Sequence, residues 1–136
     1  MRGAEKLALN RTKEDCLESI YVLAQTRKIV RSVDVANSLG ITKPSVSVML
    51  RSLEEDGFVI KAPQSELFEL TLTEKGRALA EQLYERHCFF QDLLIWAGVQ
   101  RETADQEACA LEHALSHESF DLVRTAVNRQ KELSAG

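Results

Sequence analysis

Residues 33–59 read VDVANSLGITKPSVSVMLRSLEEDGFV, and the way this stretch divides decides the fold. Residues 32–39 carry the pattern of a short helix, with Ser32 as its cap. Gly40 follows, and a residue without Cβ adopts the positive φ of a helix C-cap at little cost. A second helix begins near Thr42. Lys43-Pro44 suits its first turn, where proline's missing N–H forfeits no bond. Val46, Met49, Leu50 and Leu53 recur at helical spacing and give it a buried stripe that stops at Asp56-Gly57. Next comes FVIKAPQSELFELTL (58–72), two β-rich segments around the breaker cluster Ala62-Pro63-Gln64-Ser65, which predicts an antiparallel hairpin. Helix, glycine turn, helix and hairpin is the order of a winged helix-turn-helix.

Working outward, Thr12 is the expected N-cap of a first helix with Asp15 at N3. Leu17, Ile20, Tyr21 and Ala24 form its apolar face. Thr73 caps a long helix reaching about Trp96 despite Gly76. Two last helices cover 102–115 and 117–131, with Ser116 as the cap between them. The expectation is a mainly α protein: a winged helix-turn-helix in 1–73 (three helices plus a two-stranded wing) and a helical region in 74–136.

The chain of 136 residues is 44% hydrophobic, enough for a core. It has no run of 18 apolar residues and no signal-like N-terminus, so a cytoplasmic protein is expected. Cys16, Cys88 and Cys109 are three and widely spaced, which argues against a disulfide framework. The net charge of −4 is uneven. Residues 1–61 hold ten Lys/Arg against eight Asp/Glu, a balance of +2, and residues 62–136 hold seven against thirteen, or −6. The acidic surplus therefore lies outside the part expected to meet DNA, although such a surplus is more often a solvated face.

On the second helix of the motif, Thr42, Lys43, Pro44, Ser45, Ser47, Val48 and Arg51 form the outward side. Small hydroxyl residues at a helix N-terminus let backbone N–H groups approach phosphate, and Lys43 and Arg51 add charge. Val48 and Pro44 can touch thymine methyls. The plainer reading is a helical pair that only packs, with serines as ordinary caps.

A second constellation is Cys109-x-x-Glu112-His113, at i, i+3 and i+4 on one helix face. Thiolate, carboxylate and imidazole together suit a divalent transition metal. Asp15 and Glu18 repeat the i, i+3 spacing in the first helix, and His87 sits on the long helix. Taken singly, each has a plainer reading as core filler, solvent-facing pair or dipole-compensating acid.

EDCLESIYVL (14–23), the stretch 33–59, LTEKGRALAEQLYERHCFFQDLL (72–94) and CALEHALS (109–116) together resemble the DtxR/MntR family of iron- and manganese-dependent bacterial repressors. The similarity covers nearly the whole length. It implies that Asp15, Glu18, His87, Cys109, Glu112 and His113 hold a regulatory metal, Fe2+ or Mn2+, with Zn2+ or Co2+ as further candidates. It also implies a homodimer through a helical metal-binding and dimerisation domain, a double-stranded DNA operator, and base contacts from Thr42, Pro44 and Val48. Cys109 matches the iron-type members, whereas Asp15 and Glu18 match the manganese type. Gln91 stands where iron-type members carry an acidic ancillary ligand. The expected form is the short one, without an SH3-like C-terminal domain. The expected function is a metal-dependent transcriptional repressor of metal-homeostasis genes, not an enzyme. The alternative is a winged-helix regulator answering a small organic effector or cysteine oxidation.

Overall fold

Asn10 opens helix α1 (Arg11–Ala24) by accepting a 2.9 Å hydrogen bond from the Lys13 N–H on its side-chain oxygen. The cap expected at Thr12 is thus two residues earlier, and Asp15 lies in the second turn. Both residue types can cap, and the apolar stripe fixes a helix's phase better than its start. The structure, a computed structural model, describes residues 10–62 and 69–135. Of the apolar face expected for α1, Leu17 and Ile20 are buried, Tyr21 is half-buried and Ala24 is exposed; Cys16 joins the buried set.

Helix α2 (Ser32–Leu39) starts from Arg31 rather than from a Ser32 cap. The Asp34 carboxylate reaches back to accept from the Arg31 N–H at 2.9 Å, so the acid at N3 satisfies the helix start. Gly40 closes α2 in the left-handed region at φ 68°. Helix α3 (Lys43–Glu55) is capped by Thr42, whose Oγ1 accepts from the Ser45 N–H, with Pro44 in the first turn. Its Val46, Leu50 and Leu53 are buried, and Met49 is half-buried.

Strands β1 (Val59–Ala62) and β2 (Glu69–Leu72) pair antiparallel, with Val59 opposite Leu72 and Ala62 opposite Glu69. The breakers Pro63, Gln64 and Ser65 lie outside the described residues. The Leu70 N–H also donates to the Val30 carbonyl at 2.8 Å, tying the hairpin to the segment before α2. Helix α4 (Glu74–Trp96) is capped by Thr73, which accepts from the Gly76 N–H at 3.0 Å. Gly76 is needed here for its bareness: a Cβ would stand 2.0 Å from the Phe58 carbonyl oxygen. Helix α5 (Arg101–Leu111) stops four residues before the expected end, with Glu112 as its C-cap. Helix α6 (His117–Ala135) runs further than expected, and Ser116 accepts from the Ser119 N–H at its start.

Contacts divide the chain into two units, Met1–Gln82 and Leu83–Gly136. The first closes over Cys16, Leu17, Ile20, Val35, Val46, Leu50, Leu53, Phe58 and their neighbours. The second gathers around Phe90, Ala108 and Phe120, with Phe89 meeting Phe120 edge-on at 5.5 Å. Arg86 and Arg124 both lie over the Phe120 ring. No helix among the described residues is long and apolar enough to cross a membrane.

Candidate metal centre and nucleic-acid interface

The second unit brings together three of the residues singled out in the sequence. His87 comes from the middle of α4, Cys109 from the last turn of α5, and Glu112 from the C-cap of α5. Cys109 and Glu112 share a face because they are three residues apart on a helical backbone. One donor atom from each of His87, Cys109 and Glu112 lies within 4.8 Å of the others.

Glu112 is wholly buried, an unusual place for a carboxylate. Its Oε1 is 2.8 Å from His87 Nδ1. Its Oε2 is buried and has no hydrogen-bond partner among the described residues; His113 Nε2 stands 3.6 Å away. Leaving such an atom unsatisfied costs roughly 1–3 kcal/mol, and more when it is charged. The buried oxygen therefore marks a point that favours added positive charge. His87 shows the same preference. The Cys109 side chain first, then Glu112 and more weakly Asp105, push its pKa up to about 11 against the opposing effect of partial burial. The donor set of thiol, imidazole and carboxylate fits a divalent transition cation, since it mixes soft, borderline and hard ligands.

His113 follows Glu112 in the turn after α5, with its side chain only 6% exposed. Asp15 and Glu18 lie three residues apart on α1, both half-buried, in the first unit.

Two residues at this centre had not been singled out. Asp105 Oδ1 is 2.9 Å from His87 Nε2. Its signal was present, because Asp105, Cys109 and Glu112 repeat at i, i+4 and i+7 along one helix face. Arg86 donates through Nη1 to the carbonyls of Glu112 (3.2 Å) and Leu115 (2.7 Å). Those bonds satisfy carbonyls at the end of α5 and hold the turn that carries Glu112 and His113. Nothing in the local sequence announces a partner 26 to 29 residues away.

The first unit presents α3 as expected, with one change. Thr42, Lys43, Pro44, Ser45, Val48 and Arg51 are exposed, whereas Ser47 is half-buried. Val48 is 63% exposed, an apolar side chain with no place in the core. Lys13 of α1 donates to Ser52 Oγ at 2.6 Å, fixing α3 to α1 on its other side.

Cys16 sits beside Asp15 at 0% exposure, and burial, then the Asp15 charge, push its thiol up to about 12. It is a core residue and not a reactive thiol.

Residues 8–67 match the family described as iron dependent repressor, N-terminal DNA binding domain. Residues 73–133 match iron dependent repressor, metal binding and dimerisation domain. The chain is 32% identical over 119 residues to the HTH-type transcriptional regulator MntR of Lysinibacillus sphaericus, covering 88% of this chain and 84% of that one. It is 34% identical over 111 residues to the transcriptional regulator MntR of Escherichia coli O157:H7, covering 82% and 70% respectively. Among solved structures it is similar to the manganese regulator SloR, with a TM-score of 0.74 and 28% identity over 85% of this chain. The chain spans about half the length of that structure, 53%.

Proposed function

The chain belongs to the iron-dependent repressor family, the DtxR/MntR group of metal-responsive, DNA-binding transcriptional regulators, and we propose that a divalent cation licenses its operator binding. The wholly buried Glu112, with one carboxylate oxygen that has no hydrogen-bond partner among the described residues, carries this reading. Fe2+ or Mn2+ is the proposed physiological ion. Zn2+ and Co2+ suit the same donors through the Cys109 thiolate. Asp15, Glu18, His87, Cys109, Glu112 and His113 are the proposed ligands, and residues 74–136 the metal-binding and dimerisation domain. Residues 1–73 are the proposed DNA-binding domain of a cytoplasmic repressor of metal-homeostasis genes.

Each group has a task that follows from its chemistry. Asp15, Glu18 and Glu112 are like charges that repel when drawn together, so the metal-free protein disfavours their convergence. When bound, the cation supplies the charge that turns this repulsion into attraction. His87 must release a proton to offer a lone pair, and Cys109 must act as thiolate. With ligands drawn from α1 as well as from α4 and α5, the binding energy comes to depend on the conformation of the DNA-binding unit. Only such differential affinity can shift a population between states.

On DNA, Thr42, Lys43, Pro44, Ser45, Ser47, Val48 and Arg51 are the proposed contact set. The exposed N-terminus of α3, with Thr42 and Ser45 at its tip, suits phosphate, and exposed Val48 suits a thymine methyl. The exposed Trp96, Leu122 and Leu133 of the second unit support dimerisation through that unit.

The test is titration of a fluorescent fragment of the protein's own promoter in Mn(II), anaerobic Fe(II), Zn(II) or chelator. Affinity should rise with a cation and fall with chelator, and Glu112→Ala should bind DNA weakly and equally in every condition. Equal, tight binding by the wild type in all conditions would leave a winged helix without a metal switch.

A further inference from the structure

His87 offers two ring nitrogens to two carboxylates in very different settings. Nδ1 is 2.8 Å from the wholly buried Glu112 Oε1, within the donor cluster that half-buried Cys109 shares. Nε2 is 2.9 Å from Oδ1 of Asp105, whose side chain is 59% exposed and lies one turn before Cys109 on α5. An imidazole can give a lone pair to a cation from one nitrogen only if the other keeps its proton, and that proton stays where an acceptor remains. Asp105 is outside the cluster formed by His87, Cys109 and Glu112, so its carboxylate stays available as that acceptor.

We propose that Asp105 is a positioning residue that holds His87 in the Nε2–H tautomer and thereby assigns Nδ1 as the nitrogen that ligates a divalent cation beside Cys109 and Glu112. The inference rests on the metal-centre reading and adds to it a residue that ligates nothing. Asp105 also limits ring rotation: turning the imidazole over would break a bond at each end. Because Asp105 is exposed, its effect belongs at the lower end of what such outer carboxylates contribute, about tenfold in cation affinity.

The experiment uses the full chain labelled with 15N-histidine and loaded with diamagnetic Zn(II). With three histidines in the sequence, the ring nitrogens of His87 are assignable by comparison with His117→Ala and His113→Gln variants, each of which removes one of the other two sets of signals. Wild-type protein should show a proton on His87 Nε2 and a metal-bonded shift at Nδ1. Asp105→Ala, checked for fold by circular dichroism, should bind Zn(II) about tenfold more weakly. Its stoichiometry should be unchanged, and its Nε2 proton should exchange faster or be lost to a mixed tautomer. Asp105→Glu should restore most of the affinity. A metal-bonded Nε2 in the wild type overturns the proposal, as does an Asp105→Ala variant with unchanged affinity and tautomer. Loss of a whole equivalent of Zn(II) in Asp105→Ala also overturns it, since Asp105 would then be a ligand. Wild-type protein that takes up no Zn(II) removes this inference and the metal centre together.

Discussion

The two units are stabilised in different ways. Among the described residues, the first closes over thirteen buried apolar side chains contributed by every one of its helices and both strands. The second has three in its cluster, Phe90, Ala108 and Phe120, and places beside them a buried carboxylate with an unsatisfied oxygen. It also leaves Trp96, Leu122 and Leu133 more than half exposed. Apolar burial stabilises at about 25 cal/mol per Å² and requires no bound ion. A buried acid stabilises only when something compensates it. The first core therefore needs no cation for its stability, whereas the second unit holds a buried acid whose cost a bound cation would offset.

The largest test of this contrast is Leu50→Ala, in the centre of the first core at 0% exposure. It should cost about 2–5 kcal/mol by urea unfolding, and saturating Zn(II) should leave that penalty in place. Full rescue by the cation would show that the first unit is not self-sufficient. Gly76→Ala comes next. Its Cβ would meet the Phe58 carbonyl at 2.0 Å, backbone that cannot swing aside, so a loss of about 1–3 kcal/mol is expected in a thermal melt.

In the second unit, pH separates the metal-free and loaded forms. The folded pKa of His87 is raised to about 11 from 6.5 by Cys109, Glu112 and Asp105. The resulting stabilisation of metal-free protein is whole below about pH 6.5 and drains away as pH climbs through about 11. Cation binding must displace that proton, so the trend reverses. Affinity for Zn(II) should rise at least about tenfold per pH unit from 6.5 to 8, for the proton of His87 and any that Cys109 must also release, measured by competition with a chelating dye. A flat profile would mean that His87 is not a ligand. The smallest effect is on α3, where Lys43→Ala should leave the melting temperature unchanged. It should lower the slope of log affinity against log salt by about one, read from operator titrations.

The legible parts of the fold were those governed by short-range chemistry. Gly40 at a C-cap, Thr42 before Lys43-Pro44, and the Val46, Leu50, Leu53 stripe each carry their own local reason, and the structure has them so. Helix starts were less legible. Asn10 and Thr12 are both competent caps, and Ser32 lost its place to Arg31 because Asp34 satisfies that N–H from inside the helix. The end of α5 was hidden for a different reason. Leu115 continues the helical spacing, but the turn at Glu112 is held by Arg86, a donor from another helix. Of the metal constellation, His87, Cys109 and Glu112 come together within one unit, whereas Asp105 was overlooked because an exposed acid looks like any other.

Helix α1 carries Asp15 and Glu18 on a backbone whose Cys16, Leu17 and Ile20 are locked into the same core as the α3 stripe. Lys13 bonds across to Ser52 as well. Anyone building chimeras from this family thus faces an inseparable inheritance. A donor DNA-binding module grafted onto residues 74–136 would bring along two of the six proposed ligands, so an exchange of operator preference would retune ion preference too.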